Sequence, residues 1–191
     1  MFVLAPDYGV GFVVLVAGND TTDTVQYLAD SVTASIFPAL ENTARAQAQQ
    51  TFGGTYNTST AAGLASNITF STKPGQPGLV VESWYSNGTD FLQVIAEMEG
   101  ATTEVDVRLY PTGLVQQTSS NTKRIGFRAV FESTDTAPDG GIFSPDCTTW
   151  VTVDSPRYGN VGLDEFVFEV EDGKAISVSP RALRVTLERS A

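Results

Sequence analysis

Beyond Gly53-Gly54 the apolar residues recur at every second position, in runs too short for helices and divided by Pro, Gly, Asn and Asp. A period of two is the period of a strand, whose side chains alternate between two faces. The runs are Leu64–Thr72, Leu79–Trp84, Phe91–Met98, Glu104–Tyr110, Leu114–Thr118, Arg124–Glu132, Cys147–Asp154, Glu165–Val170, Ala175–Val178 and Leu183–Glu188. In Glu104–Tyr110, Val105, Val107 and Leu109 face one way and Glu104, Asp106 and Arg108 the other. Arg124–Glu132 sets Ile125, Phe127, Ala129 and Phe131 against Arg124, Arg128 and Glu132. Pro111-Thr112-Gly113 reads as a tight hairpin, and so does Asp172-Gly173. Roughly nine or ten strands, with turn signals every ~8–12 residues, predict an all-β sandwich or barrel. No helical period separates the strands, which excludes βαβ units. One polar face per strand fits an antiparallel sheet wetted on one side. Successive hairpins favour an up-and-down barrel over a Greek key.

The first fifty residues read differently. Met1–Leu4 and Val10–Ala17 are apolar and flank Ala5-Pro6-Asp7-Tyr8-Gly9, a turn sequence. The pattern predicts a β-hairpin with a fully buried second strand. Such a hairpin cannot stand alone in water. It must pack on the following helix or on a sheet outside this chain. Asn19-Asp20-Thr21-Thr22-Asp23 offers helix N-caps and places acid in the first turn. Val25, Leu28, Ala29, Val32 and Ile36 then follow at helical spacing. Pro38 predicts a kink or a restart, Ala39–Gln50 is rich in helix formers, and Gly53-Gly54 supplies the stop.

Composition excludes several chemistries. The 191 residues contain no His and one Cys, Cys147. A Ser-His-Asp or Cys-His couple is therefore impossible, as are His-containing metal sites and a Cys₄ cage. No cofactor or metal is expected. Lys and Arg number 11 against 22 Asp and Glu, a net charge of −11, which argues against nucleic acid. Most of the acid follows residue 50: residues 1–50 carry 5 acids and 1 base, and residues 51–191 carry 17 and 10. The eight-residue apolar run Val10–Ala17 is too short to span a membrane. No Lys or Arg precedes Arg45, so a signal peptide, which needs a basic leader, is not read here.

The remaining motifs are weaker. Asn19, Asn57, Asn67 and Asn87 each begin an N-x-[ST] triplet, the acceptor pattern for N-glycans. Ser120-Asn121-Thr122-Lys123 matches S-x-x-K, and Tyr158-Gly159-Asn160 matches Y-x-N, the first two motifs of a serine β-lactamase. That chemistry needs the Ser to open a helix so that Lys, one turn on, points at its Oγ. Gln117–Lys123 is polar and runs straight into a strand, and no K-T-G follows, so Ser120 is not read as catalytic. Asp164-Glu165 and Glu171-Asp172 are adjacent acids whose side chains leave opposite faces of a strand, unlike the facing pair of a glycosidase. Asp135, Asp139 and Asp146 have the residue types for calcium but not the EF-hand spacing. Trp84, Tyr85 and Trp150 read as core or as packing beneath a barrel mouth.

Longer stretches carry a resemblance. APDYGVGFVVLVAG (Ala5–Gly18) resembles the strands that follow the active-site strand of fungal serine β-lactamase-like hydrolases, relatives of class C β-lactamases and D-Ala-D-Ala peptidases. FPALENTARAQAQQTFGGTY (Phe37–Tyr56) is similar to the last helix of that catalytic domain and its junction with an appended module. CTTWVTVDSPRYGNVGLDEFVFEV (Cys147–Val170) and SVSPRALRVTLER (Ser177–Arg189) resemble the C-terminal β-barrel domain of the same proteins. The resemblance implies that the nucleophilic Ser, its Lys, the Tyr and the K-T-G-like strand all precede the stretch matching Val3–Ala17. No catalytic residue carries over, since Tyr158-Gly159 falls inside the barrel motif.

The expectations are therefore these. Residues 1–52 are the terminal hairpin and helix of a truncated catalytic domain, and residues 53–191 form an antiparallel, lipocalin-like barrel. The fold is mainly β. The function that the resemblance implies is that of a non-catalytic accessory module of a secreted serine hydrolase. Its partner would be the missing catalytic domain, or a second copy reached through the apolar hairpin. Two rivals are a free-standing barrel that binds a small apolar or sugar ligand, which needs a cavity, and a residual enzyme built on barrel carboxylates.

Overall fold

The computed structural model describes residues 1–59, 65–102, 104–134 and 153–190. The chain divides into two compact units, Met1–Gln47 and Ala48–Ala191.

In the first unit, β1 (Phe2–Ala5) pairs antiparallel with β2 (Val10–Val13), from Phe2↔Val13 to Ala5↔Val10. A 3-10 turn at Pro6–Tyr8 joins them and closes with the Gly9 N–H donating to the Pro6 carbonyl at 3.0 Å. Gly9 sits at φ 64, where a side chain is disfavoured. The hairpin is present, but its second strand is shorter and less buried than the apolar run predicts. It ends at Val13, and Val13 and Leu15 are 54% and 88% exposed. A two-stranded ribbon has neighbours on too few sides to bury every residue.

Helix α1 (Thr21–Phe52) begins in this unit and ends in the next. Asp23 lies in its first turn, and the Thr24 N–H and Oγ1 both donate to the Asp20 carbonyl. The helix does not restart at Pro38, which lies inside it. Pro38 lacks an N–H, so the Ala34 carbonyl loses its helical donor while the chain continues. Ser31, Ser35 and Thr43 donate their hydroxyls to carbonyls four residues back. The helix stops where Gly53 and Gly54 occur: the Gly53 N–H bonds the Gln49 carbonyl at 3.0 Å, and Gly54 has φ 130.

The second unit is a closed barrel of eight antiparallel strands: β3 (Gly54–Ser59), β4 (Ala65–Ser71), β5 (Leu79–Ser86), β7 (Val105–Gln117), β8 (Thr122–Ser133), β11 (Glu165–Glu171), β12 (Lys174–Pro180) and β13 (Leu187–Arg189). Each pairs with the next in this sequence, and β13 closes on β3. The connectivity is the predicted up-and-down one, and closure removes the sheet edges. Two-residue strands β6 (Thr89–Asp90), β9 (Arg157–Tyr158) and β10 (Val161–Gly162) decorate it. Asp172 and Gly173, at φ 48 and 80, form the predicted β11–β12 turn.

Three readings are corrected. Phe91–Met98 is not a strand but most of helix α2 (Phe91–Glu99). The Asp90 side chain caps it by accepting from the Leu92 and Gln93 N–H groups, and Gly100 ends it at φ 68. Phe91, Ile95 and Ala96 are its buried side, so four-residue spacing and a cap outweighed a short apolar run. Pro111-Thr112-Gly113 is not a hairpin turn. It is a bulge within β7: Pro111 pairs with Phe127, and the ladder resumes at Val115↔Ile125. Thr112 Oγ1 donates to the Gly126 carbonyl at 2.9 Å, and a Cβ on Gly126 would lie 2.9 Å from that same oxygen. Leu183–Glu188 begins as a 3-10 turn (Arg181–Leu183), and only its end joins β13. The run Cys147–Asp154 lies outside the described residues except at its last two positions.

Arg189 ties the end of α1 to the barrel. Its Nη1 donates to the carbonyls of Thr51 (2.8 Å) and Ala175 (3.2 Å), and its Nη2 to that of Gly53. The guanidinium also lies 5.8 Å from the centre of the Tyr56 ring. A cation at a helix C-terminus satisfies carbonyls that lack helical donors and complements the macrodipole. Tyr56 donates to the Phe52 carbonyl at 2.8 Å, and burial pushes its phenol up to about 12 although Arg189 opposes this. Arg189→Met should cost about 2–3 kcal/mol, because charge-assisted bonds are lost and half-buried carbonyls remain. Urea unfolding of the two proteins measures it, and an unchanged midpoint would remove Arg189 from this role.

Candidate functional site

The place to look for a ligand in a small up-and-down barrel is its interior. Here every strand contributes apolar side chains to the interior. Tyr56 of β3, Ile68 and Phe70 of β4, Val81 and Trp84 of β5, Leu109 of β7, Phe127 of β8, Phe166 and Phe168 of β11, Val178 of β12 and Leu187 of β13 belong to one buried cluster. Phe168 lies edge-on to Phe52, Tyr56, Phe70 and Phe127, with centroids 5.1–5.9 Å apart. Trp84 is 1% exposed and packs on Phe91 and Phe166, each at 5.2 Å. The core reading is correct for Trp84, and Phe127, Phe131, Phe166 and Phe168 are buried with it. Tyr85 points outward and is 38% exposed, whereas Trp150 lies outside the described residues. A filled interior counts against the ligand-binding rival. One open pocket of about 320 Å³ lies between Met98 and Glu99 on one side and Ser155, Pro156 and Arg157 on the other.

The polar motifs do not assemble. Ser120 sits in the exposed β7–β8 turn and donates to Asn121 Oδ1 at 2.5 Å. Lys123 stands on β8, paired with Gln117 and Val170, so Ser120 does not open a helix and no turn of helix carries Lys toward it. Tyr158 lies in β9, exposed, with its ring 6.3 Å from that of Phe91. Glu165, Glu171 and Asp172 are exposed on β11 and its turn, which is a scatter and not a cleft. Asp135, Asp139, Asp146 and Cys147 lie outside the described residues. Among the described residues no three His, Cys, Asp or Glu side chains gather as metal ligands, and no helix is long and apolar enough to cross a membrane.

The sequence reading missed one feature. Asp164, just before β11, has a carboxyl only 4% exposed, and its Oδ2 lies 3.0 Å from Arg128 Nη1. That approach is an ion pair without a directed hydrogen bond, for Oδ2 has no hydrogen-bond partner. The Asp164 carbonyl accepts the Ala129 N–H at 2.7 Å, and a Cβ on Gly162 would collide with Asp164 Oδ1. The neighbouring glycine and the facing strand therefore enclose the carboxyl. Burial raises its pKa above the ordinary 3.8 more than Arg128 lowers it, and Asp154 and Glu165 push in the same upward direction as burial. Nothing in the sequence marks this pair, since Arg128 and Asp164 meet only because β8 and β11 are neighbours. Among the described residues the ion-pair partner of Asp164 is Arg128, while the carboxylates of Asp154 and Glu165 lie near enough to repel it.

With the barrel and its packed interior in place, comparison with known proteins adds the family. A family model described as beta-lactamase-like-like, C-terminal domain, matches residues 44–191. The chain belongs to this beta-lactamase-like family and carries its C-terminal domain. A beta-lactamase-like protein of Arthroderma benhamiae is 30% identical over 200 residues, covering 93% of this chain and 33% of that protein. The chain thus spans about a third of the length of the curated relative it matches. No solved structure matches it significantly. The family is the one that the patterns at Ala5–Gly18, Phe37–Tyr56, Cys147–Val170 and Ser177–Arg189 resemble.

Asp164 makes its own contribution to the domain's pH response. Its raised pKa means that the native state holds this proton more tightly than the unfolded chain. Between the unfolded and the folded pKa the native state binds more protons, so this carboxyl's contribution to stability falls as pH rises through that window. Asp164→Asn removes the contribution. In urea melts from about pH 3 to about pH 7, wild type should lose stability relative to the variant as pH rises. A relative gain by wild type would mean that the Arg128 pair outweighs burial.

Proposed function

We propose that this chain is a non-catalytic accessory module of a serine hydrolase-like protein, and that its apolar N-terminal hairpin docks on the catalytic part of that protein. The observation that carries the reading is the match to a curated beta-lactamase-like protein three times as long: the match takes in 93% of this chain but 33% of that relative. The apolar cluster that packs the barrel interior among the described residues supports it. So do the exposed apolar residues of the hairpin, Phe2 at 67% and Leu4 at 63%, which form a surface that water alone covers poorly.

Serine hydrolysis in this class requires a Ser, a Lys one helical turn on and a nearby Tyr, and those roles would fall to residues outside this chain. The barrel would contribute by holding the last turn of α1 through Arg189 and Phe52. The module would be exported with the rest of the protein. In an assay with nitrocefin and a p-nitrophenyl ester, the purified chain should give no turnover above buffer. Turnover that Ser120→Ala abolishes would overturn the reading.

The hairpin makes a second prediction. Separated from a covering surface, the chain should self-associate, and Phe2→Ser with Leu4→Ser should shift it toward monomer in multi-angle light scattering. A wild-type chain that is monodisperse and monomeric at high concentration would contradict the docking role of the hairpin.

A further inference from the structure

We propose that Asn87 is an N-glycosylation site, and that Asn57 and Asn67 do not carry glycans on the same molecule. Four of the seven asparagines begin an N-x-[ST] triplet, at Asn19, Asn57, Asn67 and Asn87. Ser and Thr fill 38 of 191 positions, so chance would supply one or two. The fold places these triplets in different surroundings.

Asn87-Gly88 is the two-residue turn between β5 and β6, with Ser86 paired to Thr89. Asn87 and Gly88 adopt φ 50 and 79, the left-handed pair of a hairpin turn that Asn and Gly tolerate best. The backbone is held from below: the Asn87 N–H donates to Ser66 Oγ at 3.0 Å, and the Gly88 N–H to the Ala65 carbonyl at 3.3 Å. The Asn87 side chain is exposed and hydrogen-bonds no described residue. The turn thus presents the Asn87 side chain to solvent, two residues before the Thr hydroxyl that the acceptor pattern requires.

Asn57 and Asn67 differ. They lie directly opposite each other on β3 and β4, on strands about 4.8 Å apart, and a first sugar on each would claim the same space. The amide nitrogen of Asn57 is also engaged, donating to Ser190 Oγ at 2.6 Å. Asn67 is flanked on its other side by Tyr85 of β5.

The step is a group transfer without redox change. The Asn87 amide nitrogen forms a bond to the anomeric carbon of an oligosaccharide carried on a lipid diphosphate. The carbon–oxygen bond to the diphosphate breaks, the lipid diphosphate departs with the electron pair, and the amide gives up one proton. A glycan there would cover the β5–β6 turn and keep that flank of the barrel out of protein interfaces. The proposal stands independently of the accessory role.

The experiment is secretion of the full chain from a eukaryotic host behind a cleavable leader, followed by peptide-N-glycosidase release in heavy-oxygen water and peptide mapping. Asn87 should convert to Asp carrying heavy oxygen, which separates glycan release from earlier spontaneous deamidation at Asn87-Gly88. Asn87→Gln and Thr89→Ala should each remove one glycan from the intact mass, and Thr89→Ser should retain it. An unlabelled Asn87 in secreted, folded chain would overturn the site. Molecules labelled at both Asn57 and Asn67 would overturn the exclusion.

Discussion

The edge-on packing of Phe168 against Phe52, Tyr56, Phe70 and Phe127 is the contact on which the other features depend. Each such pair adds about 0.5–1.5 kcal/mol to the area that it buries. The five rings come from α1, β3, β4, β8 and β11. One cluster therefore fixes strands on several sides of the barrel and the end of the helix. Among the described residues these rings pack the centre of the barrel.

A packed centre explains the placement of the polar groups. Arg189 stays half-buried because three carbonyls and a ring face receive it at the end of α1. Asp164 is enclosed because Gly162 leaves room for its carboxyl and Arg128 reaches it from the neighbouring strand. Ser71 and Lys73 likewise hold Glu82 from outside, and the Ser71 hydroxyl draws its carboxyl below the ordinary range. Each is a partnered surface or near-surface group.

Much of the fold was legible because a two-residue period and a turn residue are local properties. Alternation at Val105, Val107 and Leu109, and the Asp172-Gly173 turn, give strands and a hairpin without knowledge of neighbours. Helix α2 was missed because Phe91–Met98 is apolar and short, and strand and helix patterns overlap at that length. The signals were there in Asp90, which caps, and Gly100, which stops. Pro111-Thr112-Gly113 misled for another reason. The same residues make a turn when the chain reverses and a bulge when it continues, and only the partner strand β8 decides between them. The burial of Val10–Ala17 was overestimated because apolar composition states a need for cover without supplying it.

The sequence by itself determined the exclusions and the local elements. Without His, and with one Cys, it ruled out whole classes of site, and its periodicities set a long helix followed by successive antiparallel strands. The tertiary structure decided what depends on residues far apart in the chain. It closed β13 onto β3, brought Arg189 to the end of α1 across more than 130 residues, and set Asp164 beside Arg128. It also filled the interior that a barrel of this size can leave open. Turns and strand periods arise from the conformational limits of a few adjacent residues. Closure, ion pairing and a packed centre arise from which faces meet, and only the folded chain specifies that.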